Sequence, residues 1–304
     1  MDKMKYITGK KDGATFIGVV NTDEQTVIDL QAAGNRMEET VKVPSSLLEG
    51  IALGEEFFDV SKKIVDYAEK QLSAEYIYPL NTVQLLAPIP RPAKNIFCVG
   101  KNYVDHALEL GSEEDIPEHI MLFSKVPTTV IGHGATVLHH QHVTKQLDYE
   151  GELAVVIGKR GKGIVKEEAL DYVFGYTIIN DITARDLQAR HKQFLLGKSL
   201  DTSCPMGPWI VHKSLILDPN KLHIETKVNG ETRQKANTEQ FIFNVETIIS
   251  TVSQGMTLEP GDIIATGTPA GVGKGMKPPR FLQPGDVIEI TIEGIGTLQN
   301  QIEL

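Results

Sequence analysis

Long apolar runs are missing from this chain, and that removes one class of function at once: no window approaches the ~18 apolar residues of a membrane span. Cysteine is scarce. Cys98 and Cys204 are the only two, without metal-type spacing, so they read as buried thiols in a reducing compartment and not as a disulfide framework. Positive charge is in deficit as well. Thirty Lys and Arg face 40 Asp and Glu, and the resulting net charge of −10 is spread over the whole length. That disfavours nucleic acid as a partner, because binding it needs a basic face. It leaves room for an acidic ligand, since a local group of cations can override the global sign. Lys3 and Lys5 are followed by no apolar segment of a signal peptide, so a cytoplasmic protein is expected. Internal repeats and low-complexity segments are also lacking.

What is present is an ordinary globular balance. The chain has 304 residues, 41% hydrophobic and 23% charged, enough for a sizeable core in one large domain or a large and a small one. Residues 1–85 read as a small α+β unit. Phe16 to Val20 and Thr26 to Leu30 look like strands joined by a turn at Asn21-Thr22-Asp23-Glu24, with helices over Ser45 to Leu53 and Phe57 to Leu72. Prolines at 88, 90 and 92 forbid helix and mark a linker over 86–92. From 93 to 304 short apolar runs dominate. Strands are expected at Ile96 to Val99, Thr128 to Ile131, Leu153 to Ile157, Tyr176 to Ile179, Trp209 to Val211, Leu222 to Val228, Asp262 to Ala265 and Val287 to Ile292. Asn229-Gly230 signals a hairpin. Helices are fewer: Tyr103 to Leu110, Lys166 to Tyr172, Thr183 to His191 and Val245 to Gln254. The pattern argues for a β-rich α+β domain and against a βαβ repeat.

Chemistry concentrates in a few segments. Glu150 and Glu152 enter an apolar, β-branched run two residues apart, so a strand points both to one face. Two adjacent carboxylates repel, and a divalent cation is the simplest partner. Asp181 closes a second apolar run. Taken singly these acids read as a solvated edge and a helix N-cap; together, three oxygen ligands without sulfur favour Mg²⁺, Mn²⁺ or Ca²⁺. His106 and Glu109 are three apart on one helix, where a carboxylate can orient an imidazole as general base or form a plain surface ion pair. Arg185 and Gln188 have the same spacing and could hold a ligand carboxylate beside Asp181. Lys198 could serve as an electrophilic or anion-binding lysine. Gly267 to Gly275 is not a P-loop, because five residues separate Gly267 from Gly273 and Gly275 replaces the Ser or Thr that holds Mg²⁺. Its backbone N–H groups can still face an oxyanion, with Thr268 as side-chain donor. His133, His139, His140 and His142 lack accompanying ligands and read as structural or surface residues.

Five segments, G-K-N-Y-x-D-H-x-x-E from Gly100, L-D-Y-E-G-E-L-A-V-V-I-G from Leu147, F-G-Y-T-I-x-N-D-I-T-A-R-D-L-Q from Phe174, G-K-S-L-D-T-x-C-P-M-G-P from Gly197 and G-D-I-I-A-T-G-T-P-A-G-V-G from Gly261, resemble in sequence and order the fumarylacetoacetate hydrolase family. The resemblance covers about residues 93–304. It implies an α+β fold, a mixed β-sandwich roll with barrel-like character, carrying a small N-terminal α+β domain. It implies a homodimer that binds Mg²⁺ or Mn²⁺. By position Glu150, Glu152 and Asp181 match the family's metal ligands. His106 and Glu109 match the dyad in the lid of acylpyruvase-type members, and Arg185, Gln188, Lys198 and Thr268 match substrate-contacting positions.

The expected substrate is a small 2-oxo acid. The first expectation is oxaloacetate decarboxylation through a pyruvate enolate, with the cation as Lewis acid and Lys198 as a second positive charge. The alternative is hydrolysis of an acylpyruvate or fumarylpyruvate by a water that His106, oriented by Glu109, activates, with Thr268 supporting the oxyanion. A binding or scaffold protein that kept the fold without catalysis is the reading from another class; the intact set of acids, dyad, Arg185 and Lys198 argues against it.

Overall fold

The computed structural model describes residues 4–21, 24–38 and 41–304. Thr22 and Asp23, the middle of the turn read at Asn21 to Glu24, lie outside them. One large sheet organises the molecule. From edge to edge its strands are Ile77–Pro79, Thr26–Asp29, Ala14–Val20, Lys5–Lys11, Cys204–His212, Val173–Asn180, Gly151–Ile157, Ile263–Ala265, Ile96–Gly100 and Met121–Lys125. The path ends at edge strands and does not close. The architecture is therefore sandwich-like within an α+β fold, and the barrel-like character stops short of a closed barrel.

The second layer is a sheet of Glu231–Asn237, His223–Val228, Val287–Ile292, Gly296–Ile302 and Thr136–Val137. It packs on the central strands of the first. Gly151 permits the approach: a Cβ there would stand 2.3 Å from Thr226 Oγ1 and 3.1 Å from Ile290. Alternation divides the core. Leu153, Val155, Tyr176, Ile178 and Trp209 join Ile224, Ile288, Ile290 and Leu298 between the sheets. Ala154, Val156, Ile179, Met206 and Ile210 face the other way and join the cluster that includes Tyr6, Ile28, Phe57 and Ile64. Every residue of the three central strands is buried, as their nearly continuous apolar sequence requires.

The N-terminal residues join the large sheet through Lys5↔Val211 and Tyr6↔Ile210. Helices Leu47–Leu53 and Glu55–Gln71 cover that end; Ser46 caps the first by accepting from Glu49 N–H. The proline segment is irregular, as expected, yet packed: Ala87 and Ile89 are buried, and Thr8 Oγ1 donates to the Pro88 carbonyl at 2.7 Å. Asn229 and Gly230 both take positive φ, +52° and +77°, as a type I′ hairpin demands.

Several elements depart from expectation. Lys166–Tyr172 is 3₁₀ and not α, as short connectors often are. Only Val130–Ile131 of the 128–131 run is strand, because Pro127 opens a 3₁₀ turn. Thr183–Ala184 pairs with Leu147–Asp148, so the helix begins at Arg185. Strands Lys5–Lys11, Met121–Lys125 and Gly296–Ile302 are additional to those expected, and Glu231–Asn237 is the polar second arm of the Asn229-Gly230 hairpin. Gly151–Ile157 and Val173–Asn180 form the hairpin that carries the acids. Its register is regular from Gly151↔Asn180 onward and slips between Val156 and Ile157, skipping Phe174.

Candidate active site

The hairpin register explains how the acids meet. Pairing Gly151 with Asn180 makes Glu150 and Asp181 neighbours, and two bonds stitch them: Asp181 N–H donates to the Glu150 carbonyl at 2.8 Å and Glu150 N–H to Asn180 Oδ1 at 3.1 Å. Glu152 lies two residues along the same strand. Glu150, Glu152 and Asp181, all buried, each bring one carboxylate oxygen within 4.8 Å of the other two.

Cations surround two of these acids. Lys198 Nζ stands 2.6 Å from Glu150 Oε2 and 2.7 Å from Asp181 Oδ2. Arg185 lies 2.7 Å from Glu150 Oε1 and 2.9 Å from Asp148 Oδ2. Lys125, wholly buried, sits 2.8 Å from Asp181 Oδ1, close in charge but off line for a hydrogen bond. It donates instead to the carbonyls of Ile182, at 3.0 Å, and Lys198. Among the described residues Glu152 forms no ion pair; its Oε2 accepts from Gly267 N–H at 2.8 Å.

The ionisation of the two glutamates diverges accordingly. Burial pushes Glu150 upward, but Lys198, Arg185 and His106 together outweigh it and bring the carboxyl down to about 2. Burial pushes Glu152 upward too, and repulsion from Asp181 and then Glu150 adds to it, so its carboxyl lies well above the ordinary range. For Lys198, burial acts downward and is overcome by Asp181 and Glu150, which hold the ammonium above its usual value. The donor set suits a hard divalent ion: three oxygen ligands, no sulfur, and one acid, Glu152, whose repulsion from its neighbours Lys198 only partly relieves. Glu150, Glu152 and Asp181 are the residues that could hold it.

The helix Val104–Leu110 brings His106 to the same place. Its Nδ1 lies 3.4 Å from Glu109 Oε2, while Glu109 Oε1 accepts from Gly271 N–H at 2.9 Å. Gly275 makes room, since a Cβ there would meet the Glu109 carboxyl at 2.2 Å. The dyad is thus anchored to the glycine-rich loop. Arg185 also donates to Gln188 Oε1 at 3.3 Å. Thr268 differs from the role expected of it: its hydroxyl donates to the Gly151 carbonyl at 3.0 Å and accepts from Gln234 at 2.7 Å. Its proton is engaged in holding the hairpin.

A cavity of about 230 Å³ is lined by His106, Glu150, Glu152, Arg185, Gln188, Lys198, Thr268, Lys101 and Lys274, among others. At about 30 Å³ per water this is the scale of a small organic acid and not of a nucleotide. The larger hollow of about 740 Å³ between Glu24 and Ala135 gathers no comparable chemistry.

Three residues escaped the sequence reading. Asp148 accepts from Arg185 and from the backbone N–H of Gly273 and Lys274, at 2.8 and 3.0 Å, so it joins the glycine-rich loop to the site. Its parity with Glu150 and Glu152 was a usable signal. Lys125 and Lys274 gave none. Cys98 and Cys204 are free and buried, as read. His139 and His140 contact backbone carbonyls, and among the described residues the acid trio is the only grouping of metal-type ligands. Among those residues, no helix is long and apolar enough to cross a membrane.

Comparison with known proteins agrees with the geometry. The family model described as fumarylacetoacetate (FAA) hydrolase C-terminal matches residues 95–303. Over 301 residues the chain is 57% identical to a protein named oxaloacetate tautomerase YisK, of Bacillus subtilis (strain 168), covering 98% of this chain and 100% of that one. Among solved structures, a fumarylacetoacetate hydrolase from Exiguobacterium antarcticum superposes with a TM-score of 0.83 at 45% identity, covering 99% of each chain. A maleylpyruvate hydrolase from Sphingobium sp. SYK-6, in complex with manganese(II) ion and pyruvate, does so at 0.77 and 29%, again over 99% of each.

Proposed function

This chain is an enzyme of the fumarylacetoacetate hydrolase family, and from that premise we propose that it interconverts the keto and enol forms of oxaloacetate at a divalent cation held by Glu150, Glu152 and Asp181. One observation carries the reading: His106, backed by Glu109 at its Nδ1, lines the same small cavity as Glu150 and Glu152. A Mg²⁺ or Mn²⁺ ion bound there would supply Lewis acidity to a chelating 2-oxo acid.

The remaining work falls to side chains. Lys198 offsets Glu150 and Asp181, so the floor of the cavity does not repel an anion. Arg185, braced by Asp148, orients Gln188, whose amide nitrogen is left to donate to the ligand. Glu109 faces His106 Nδ1 and so selects the tautomer in which Nε2 is the free base. His106 takes a proton from C3 of oxaloacetate, the electron pair moves into the C2 carbonyl, and His106 returns the proton to that oxygen. The reverse path regenerates the ketone.

Decarboxylation, the first expectation from sequence, shares the electron flow: C4 leaves as CO₂ and the pair enters the same carbonyl. It needs no base, which leaves the dyad without a task. The name of the 57% identical relative also favours proton transfer. Hydrolysis of an acylpyruvate would use His106 on a water, and the maleylpyruvate hydrolase neighbour supports that alternative.

Metal-loaded protein assayed on oxaloacetate, acetylpyruvate and fumarylpyruvate, with and without chelator, decides among them. Enol–keto relaxation of oxaloacetate is expected to be accelerated, to stop with chelator, and to fall by about 10²–10⁴-fold in His106→Ala, with any CO₂ release surviving that change. Turnover of none of these acids by metal-loaded protein would overturn the reading in favour of a binding role.

A further inference from the structure

Four basic side chains line the cavity: Lys101, Arg185, Lys198 and Lys274. Three are matched. Lys198 reaches Glu150 and Asp181, Arg185 reaches Asp148 and Glu150, and Lys101 reaches Asp115 at 2.7 Å. Lys274 is the exception: among the described residues its ammonium has neither an ion-pair nor a hydrogen-bond partner. Its backbone is nevertheless fixed, because its N–H donates at 3.0 Å to Asp148, the same carboxylate that holds Arg185. The loop is pinned to the cavity wall at this residue, and only the side chain is at liberty to follow a ligand. Burial, then Arg185 and, more weakly, Lys101 disfavour the charged ammonium, while Asp148 and Glu150 only partly compensate. An arriving anion would relieve that repulsion.

We propose that Lys274 binds the second carboxylate of the substrate and so makes the site selective for 2-oxo dicarboxylates over 2-oxo monocarboxylates. This rests on the reading that the acid trio and its cation take the 2-oxo carboxylate end. A ligand anchored there carries its far end toward the cavity wall, where Lys274 is the cation without an internal carboxylate to compete. Lys101 cannot substitute without giving up Asp115.

The test compares ligands that differ only in the terminal carboxylate. Calorimetric titration of Mn²⁺-loaded protein with 2-oxoglutarate and 2-oxopentanoate should show a preference of about tenfold or more for the dicarboxylate, the scale of one charge-assisted hydrogen bond at a partly hydrated site. Lys274→Met should erase the preference without weakening 2-oxopentanoate, and Lys274→Arg should keep it. In turnover, Lys274→Met should raise KM for oxaloacetate and spare kcat, with the 4-ethyl ester of oxaloacetate unaffected. A parent protein without preference, or a Lys274→Met variant that retains it, overturns the proposal. Because binding is read without turnover, a preference for the dicarboxylate in a protein inert toward oxaloacetate would sink the proposed reaction and leave Lys274's role standing.

Discussion

Ile28 and Glu152 belong to the same sheet and are equally hidden from water, yet their surroundings follow different rules. Ile28 belongs to an apolar cluster with Tyr6, Phe57 and Ile64, where what matters is volume and area. Around Glu152 seven buried charges crowd together: Asp148, Glu150, Glu152 and Asp181 against Lys125, Arg185 and Lys198. There each group needs an identified partner, and a lost partner leaves another charge stranded. The N-terminal end of the sheet could be repacked many ways. The charged end could not, and Glu152, which among the described residues joins no ion pair, is the place where a ligand ion would gain most.

The largest effect that would sharpen this contrast is Asp181→Ala. It removes the counter-charge of Lys125 and Lys198 and one oxygen of the trio. We expect Mn²⁺ binding by calorimetry to vanish, turnover to fall by at least about 10²–10³-fold, and stability to drop by about 3–5 kcal/mol as the buried pairs break. Turnover retained at saturating metal would erase the distinction between the two regions. Phe57→Ala should do the converse. Urea unfolding should show a loss of about 3–5 kcal/mol, as for other buried aromatics, with kcat unchanged at temperatures where the variant stays folded; a lowered kcat there would mean that the apolar end reaches the chemistry.

The smallest effect concerns Asp29, next to Ile28 in the same strand, which caps helix Leu30–Gly34 by accepting from Ala32 N–H at 2.9 Å. Burial outweighs that bond and holds its carboxyl above the ordinary value of 3.8. A raised carboxyl favours the folded state while protonated, and the advantage fades as pH climbs past 3.8 toward the raised value. Asn keeps the acceptor without the charge. The melting temperature of Asp29→Asn relative to the parent should therefore rise from acid to neutral pH, by less than either shift above. A difference that falls over that range would reverse the sign assigned to burial.

Much of the site could be read before any fold was known, because strand parity is written in sequence: Glu150 and Glu152 two apart, Asp181 at the end of an apolar run. Parity also offered Asp148, two residues before Glu150. Register was not legible, and it is register that joins Glu150 to Asp181. Lys125 was beyond reach, since the carbonyls it holds lie 57 and 73 residues further on. Thr268 was identified as a site residue, but its hydroxyl geometry depends on Gln234, in a polar edge strand with no apolar signal. The central strands were the easy part of the fold, being apolar on both faces. Gly296–Ile302 was harder: its inward positions are Leu298, Asn300 and Ile302, and the amide of Asn300, bonded to the Gly132 and Ala135 carbonyls, interrupts the apolar alternation.

The slip between Val156 and Ile157 lies at the far end of the hairpin from its acids. Changes in the length of the 158–172 connection can be taken up there, where Phe174 already stands out of phase, before they travel seven residues back to Gly151. The spacing of the carboxylates is thereby insulated from changes in that connection. Relatives should differ in length across that connection while the opposite end stays invariant in count, and an added residue between Asn180 and Thr183, where no such slack exists, should dismantle the site while leaving the rest of the sheet intact.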